Sequence, residues 1–187
     1  MELPNKAQLR RQLLQKRRSL SPAVWQQKSD LLCNHLQSFP LFQTATTVLA
    51  YASFRQEPDL KTLFARSQKT WGLPRCAGKS LIWHRWQPTE ALQKGSYGIF
   101  EPDPHAPLLE PQSADLILVP AVACDRRGYR LGYGGGFYDR LLDLPEWSSQ
   151  PTIGIIFDFA FLSRLPTDPW DKQLTEVLTE TGPKLNR

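Results

Sequence analysis

Residues 130–140 read Arg-Leu-Gly-Tyr-Gly-Gly-Gly-Phe-Tyr-Asp-Arg, and four of the chain's eleven glycines fall between positions 132 and 136. An apolar run, Leu116 to Val122, precedes this loop, and an amphipathic segment starting near Tyr138 follows it. Glycine alone enters the positive-φ region without steric cost and lets a ligand approach the main chain closely. A strand, a glycine loop and a helix start together aim free N–H groups and a helix dipole at an anion. The segment therefore predicts a phosphate cradle in an α/β framework; a tight packing turn would use glycines in the same way. Two familiar phosphate loops are excluded by inspection. Phe137 stands where the dinucleotide fingerprint needs its third glycine, and the Gly-Lys-Ser/Thr of a P-loop is absent. Arg130 and Arg140 flank the loop, and Asp139 can hold a divalent metal that bridges phosphate oxygens.

The rest of the chain alternates between helical and strand-like segments. Residues 5–19 carry leucines at helical spacing, and Ser21-Pro22 then supplies an N-cap and a first helical residue for a second helix running to about residue 37. Strand-like runs follow at 46–51, 72–76, 81–86, 116–122, 152–157 and 176–179, with a helix start at 58–64 and an extended, proline-rich connector over 101–111. This pattern predicts an α/β fold in one domain spanning 1–187, with basic N-terminal helices over 5–38 and a sheet core over 46–180. The sheet is expected to be central, mixed and largely parallel, flanked by helices. Ligands of such sheets sit beyond the carboxyl ends of strands, where a loop that follows a strand also lies.

With 41% hydrophobic and 22% charged residues among 187, the chain has the composition of a globular protein. Its longest apolar stretches are about seven residues, against the roughly 20 that span a bilayer. The polar start of the chain is not that of a signal peptide, so the cytoplasm is the expected location. Cys33, Cys76 and Cys124 have no CxxC spacing and are expected as buried free thiols. The net charge of +5 is uneven: Lys6, Arg10, Arg11, Lys16, Arg17 and Arg18 crowd residues 6–18 without an acid among them. Such a cluster can meet nucleic acid, an acidic lipid surface or a small polyanion. It has no interleaved aromatics and no nucleic-acid motif accompanies it, which favours the small polyanion. Lys6 and Arg10 lie four residues apart, on one helix face, where two cations can grip a polyphosphate or a carboxylate. A solvated basic face would show the same spacing.

Lys-x-x-Leu-Arg at Lys6–Arg10, Glu57 after the first strand, and Arg-Leu-Gly-x-Gly-x-Gly-Phe-Tyr-Asp-Arg at Arg130–Arg140 together resemble the 5-formyltetrahydrofolate cyclo-ligase family. Leu73–Arg75 and Val177–Glu180 extend the likeness over nearly the whole chain. The resemblance implies an ATP- and Mg²⁺-dependent ligase with an α/β fold around a mixed sheet. In this chemistry ATP phosphorylates the formyl oxygen of 5-formyltetrahydrofolate, with or without a polyglutamate tail. A side-arm amine then closes the ring to 5,10-methenyltetrahydrofolate, and ADP and phosphate leave. By the matching positions Lys6, Arg10 and the stretch Arg130, Leu131, Gly132, Tyr133, Gly134, Gly135, Gly136, Phe137 and Tyr138 would surround the nucleotide phosphates. Arg10 and Arg140 would act on the transferring group, Arg10, Glu57 and Tyr97 would contact the folate, and Asp139 would hold Mg²⁺.

Three positions depart from the family pattern. Gly135 stands where many members have a lysine, leaving Arg75, Arg140 or the metal to supply that charge. Thr175 stands where some members have a second metal-binding Asp, for which Asp171 can substitute. Cys76 replaces an aromatic after Pro-Arg. The expected partner is thus a small-molecule substrate bound by a monomer, without nucleic acid or membrane. A folate or nucleotide binder that has lost turnover, and an RNA-binding protein led by the basic first helix, are the competing readings.

Overall fold

The computed structural model describes residues 5–185. The first helix, α1 (Lys6–Arg18), starts at a reciprocal capping box: the Gln8 N–H donates to the Asn5 side chain at 2.9 Å, and the Asn5 N–H donates to Gln8 Oε1 at 3.3 Å. Ser21 caps α2 (Pro22–Ser38) by accepting the Val24 N–H, with Pro22 at its start. A single turn, α3 (Pro40–Thr44), leads into β1 (Thr47–Leu49), which is shorter than the expected 46–51. Helix α4 (Lys61–Arg66) begins three residues later than expected, because residues 50–60 form a long loop. The hairpin β2 (Thr70–Ala77) and β3 (Ser80–Trp86) follows, then the short β4 (Gln93–Lys94) and β5 (Phe100–Glu101). The connector expected over 101–111 lies along the outer edge of β3, donating from Leu109 N–H to the Trp83 carbonyl at 2.9 Å.

The second half contains β6 (Leu116–Pro120), β7 (Ala123–Asp125), β8 (Arg130–Leu131), α5 (Phe137–Asp143), α6 (Pro145–Ser148), β9 (Thr152–Ile155), β10 (Phe161–Leu162), β11 (Glu176–Thr179) and β12 (Gly182–Pro183). Seven strands form one sheet in the order β12-β11-β9-β6-β1-β2-β3. Neighbours from β11 through to β2 are parallel, and each edge is closed by an antiparallel strand, β12 or β3. The sheet is mixed and largely parallel, as the alternating pattern predicts. Its pleat splits the core into two layers. Ile117 and Val119 of β6 pack with Leu9 and Leu13 of α1 and with Leu141, Leu142 and Trp147, while Leu116 and Leu118 pack with Leu32 and Leu36 of α2 and with Phe64. Both faces are covered, which is why the central strands read as unbroken apolar runs.

The glycine loop does not follow the central strand directly. Pro120 lacks an N–H and closes the β6 ladder against Ile155, so the run expected at 116–122 ends two residues early. The chain then makes the β7–β8 hairpin, whose turn is held by Asp125 Oδ1 accepting the N–H groups of Arg127 and Tyr129. With β10 this hairpin forms a separate three-stranded sheet.

Candidate active site

Gly134 and Gly136 have φ of 105° and 67°, so two of the loop's glycines occupy backbone that L side chains rarely adopt. Arg10 enters from α1, donating from Nε to the Gly132 carbonyl at 2.7 Å, and a Cβ added at Gly134 would stand 3.8 Å from its Cζ. From the opposite side Arg140 donates to the Gly135 carbonyl and to that of Lys79 at the β2–β3 turn, both at 2.8 Å. Arg140, expected on the transferring group, is thereby also a brace that fixes the loop. Leu131 is core, and Arg130 is buried beneath the loop with Nη2 2.5 Å from Asp139 Oδ1. Tyr97 and Phe137 meet edge to face at 5.6 Å, so Tyr97 presents an exposed aromatic ring beside the loop. Burial, with the Glu57 charge adding to it, pushes the Tyr138 hydroxyl pKa up, so this group stays protonated.

Lys6 and Asp171, read from the sequence as phosphate and metal contacts, hold each other. Lys6 Nζ lies 2.6 Å from both Asp168 Oδ2 and Asp171 Oδ2. Burial pulls its pKa down, but the two carboxylates outweigh that and the net shift is upward. No group of three or more His, Cys, Asp or Glu side chains is gathered around a metal position among the described residues. Asp139 Oδ2 has no hydrogen-bond partner among them, so Asp139 fits a divalent ion through one oxygen. Asp171 fits only if Lys6 turns away. The remaining ligands of such an ion would be phosphate oxygens and waters, the usual habit of Mg²⁺. Thr175 faces neither group: its hydroxyl accepts the Thr152 N–H at 3.0 Å.

Glu57 is 3% exposed and accepts the Phe54 N–H at 2.9 Å. Burial raises its pKa to about 7, opposed by Arg17, the Phe54 N–H, Tyr133 and Arg55. Its loop is strained, because Arg55 and Gln56 both have positive φ, at 50° and 56°. Arg17 escaped the sequence reading as a site residue, yet it is buried between this loop and the glycine loop. The signal was available: positions 6, 10 and 17 lie on one stripe of a helix with 3.6 residues per turn. The basic cluster divides along that stripe. Lys6, Arg10 and Arg17 turn inward, while Arg11, Lys16 and Arg18 are exposed.

Arg75, one candidate for the charge missing at Gly135, is tethered instead, with Nη1 donating to the Pro102 carbonyl at 2.5 Å and Nη2 3.4 Å from buried Glu101. The Cys76 N–H donates to the same carboxylate at 3.0 Å, and burial pushes its thiol up to about 11. Cys33 and Cys124 are buried free thiols as expected, whereas Cys76 is only half-buried.

Comparison with known proteins gives this geometry a family. A 5-formyltetrahydrofolate cyclo-ligase from Mycolicibacterium smegmatis is 36% identical over 94% of this chain and 93% of its own length. One from Escherichia coli is 32% identical over 88% of this chain and 94% of its own length. The solved structure of Aquifex aeolicus 5,10-methenyltetrahydrofolate synthetase superposes with a TM-score of 0.86 at 34% identity, covering 97% of this chain and 93% of that one. The model of the 5-formyltetrahydrofolate cyclo-ligase family matches residues 2–180, and the chain belongs to that family.

Proposed function

We propose that this chain is an ATP-dependent ligase that converts 5-formyltetrahydrofolate into 5,10-methenyltetrahydrofolate, with ADP and phosphate as the other products. The observation that carries this reading is the meeting, in a chain of this family, of a glycine loop flanked by three arginines with a buried carboxylate, Glu57. A formamide is a poor electrophile, because nitrogen donates into its carbonyl. Phosphorylating the formyl oxygen turns that oxygen into part of a leaving group. The side-arm amine then attacks the formyl carbon, its proton is lost, and the former formyl oxygen departs within phosphate.

Such a transfer asks the protein for positioning and charge neutralisation. Arg10 and the main-chain N–H groups of the loop supply both to the phosphates, and Arg130 anchors the loop from beneath through Asp139 and the Lys172 carbonyl. Mg²⁺, when bound, would neutralise phosphate charge, and Asp139 would hold it through Oδ2. Lys6 reaches phosphate only by leaving Asp168 and Asp171. Glu57, in its ionised form, accepts the amino and ring N–H donors of the pterin. Tyr97, packed on Phe137, offers a face for the folate ring system.

The test is the growth of methenyl-folate absorbance when 5-formyltetrahydrofolate, ATP and Mg²⁺ are added to pure protein, and its absence when ATP is omitted or EDTA is in excess. Equal turnover without ATP would reject the mechanism. Gly135 in place of the family's lysine favours the second reading, a binder without turnover, which predicts that both ligands bind while no product forms. The inward turn of Lys6, Arg10 and Arg17 weighs against a diffuse RNA-binding helix.

A further inference from the structure

Arg17 is a buried cation for which the proposed reaction has no role. It is 4% exposed, and each nitrogen of its guanidinium donates to a different part of the chain. Nε donates to the Arg55 carbonyl at 3.1 Å, Nη1 to the Ala121 carbonyl at 3.3 Å, and Nη2 to the Tyr133 hydroxyl. The three acceptors lie in the loop after β1, in the turn after β6 and in the glycine loop. Tyr133 also lies within electrostatic reach of the Glu57 carboxylate, whose charge adds to the burial that pushes the tyrosine pKa up. A tyrosine hydroxyl that accepts from the guanidinium keeps its own proton to donate. Its ring packs under the guanidinium, 5.5 Å from Cζ, and against Phe54.

The segment that Arg17 grips is the strained one. Two successive residues other than glycine with positive φ persist only where surrounding contacts hold them. Here Arg17 takes the Arg55 carbonyl, Gln56 Nε2 donates to the Leu20 carbonyl, and Trp25 Nε1 donates to the Glu57 carbonyl at 2.9 Å. A planar fork can serve three acceptors in fixed directions at once; a lysine ammonium on a flexible stem cannot reproduce that geometry.

We propose that Arg17 is a positioning residue that ties the glycine loop to the Glu57 turn through the Tyr133 hydroxyl, so that nucleotide on the loop and pterin on Glu57 bind cooperatively. The inference rests on the roles proposed above for Glu57 and the loop. Linkage makes the effect reciprocal, with each ligand tightening the other by the same factor.

The test is titration of 5-formyltetrahydrofolate into the protein with and without saturating β,γ-imido-ATP and Mg²⁺. For the unaltered chain the ratio of the two dissociation constants should be about tenfold, within the usual range of such couplings. In Tyr133→Phe, which keeps the ring and loses only the hydroxyl, the ratio should fall to near one, and in Arg17→Lys likewise. The ratio cancels any damage common to both states, so a purely structural role would leave it unchanged. A tenfold ratio persisting in Tyr133→Phe overturns the proposal, as does a ratio near one in the unaltered chain. If Arg17→Lys does not fold, Tyr133→Phe decides alone. Failure of 5-formyltetrahydrofolate to bind the unaltered chain in either state would sink the functional reading itself, and this inference with it.

Discussion

Arg10 and Arg11 are neighbours in sequence with opposite surroundings. Arg10 reaches the Gly132 carbonyl, while Arg11 is exposed on the far side of α1. Arg10→Ala should therefore lower kcat/KM by about 2–4 kcal/mol in transition-state terms, and Arg11→Ala by well under 1 kcal/mol. Steady-state kinetics of the two variants checks this; equal losses would make α1 a diffuse basic patch. Glu57 carries a second prediction. Its pKa of about 7 lies above the ordinary 4.5, so between these values the folded state keeps a proton that the unfolded state has released. Stability must fall as pH rises through that window, and the full cost of the buried anion is present above about pH 7. Glu57→Gln should thus gain stability at pH 8 relative to pH 4, on the order of 1–3 kcal/mol by urea denaturation. The same variant should raise the folate KM while sparing ATP affinity, because an amide turns one acceptor into a donor facing the pterin's donors. A gain that is the same at both pH values would show that folding leaves the Glu57 pKa at its ordinary value.

At the scale of elements, the glycine loop was legible from the sequence, and so were the starts of the first two helices. Caps and turns depend on contacts a few residues apart, which a sequence displays directly. The loop's attachment was not legible, since Leu116–Val122 reads as one apolar run although Pro120 ends its pairing and a hairpin intervenes. The loop also sets a contrast between neighbours. Gly134→Val should nearly abolish nucleotide binding in isothermal titration, because its φ of 105° strains any branched residue and its side of the backbone faces Arg10. Gly135 has ordinary φ, and a Cβ there would meet only the Phe137 ring at 3.0 Å, which can shift by a few tenths of an ångström. Gly135→Lys should therefore bind nucleotide at least as well as the unaltered chain. The reverse ranking would mean that Gly135, and not Gly134, faces the phosphates. Gly135→Lys should move apo thermal stability by about 0.5 kcal/mol or less, whereas Gly134→Val should cost about 1–3 kcal/mol through its strained φ.

Over the whole molecule, the site exists because one sheet, covered on both faces, gathers loops that are remote in sequence. Ile117 of β6, fully buried, belongs to the layer beneath α1 and α5. Ile117→Ala should cost about 2–5 kcal/mol in chemical denaturation and leave the residual folded protein with near-normal ligand affinities. A loss under about 0.5 kcal/mol would mean that this layer repacks around the gap. The α/β class and the parallel bias could both be read from the chain alone. Apolar periodicity, capping residues and glycine clusters act locally, and local rules survive in a linear text. Partnerships did not survive in the same way. Lys6 meets Asp168 across 162 residues and Arg17 meets Tyr133 across 116, and neither pair carries a local signature. Which cation faces a ligand and which one pins a loop depends on the order β12-β11-β9-β6-β1-β2-β3, because that order selects the loops that become neighbours.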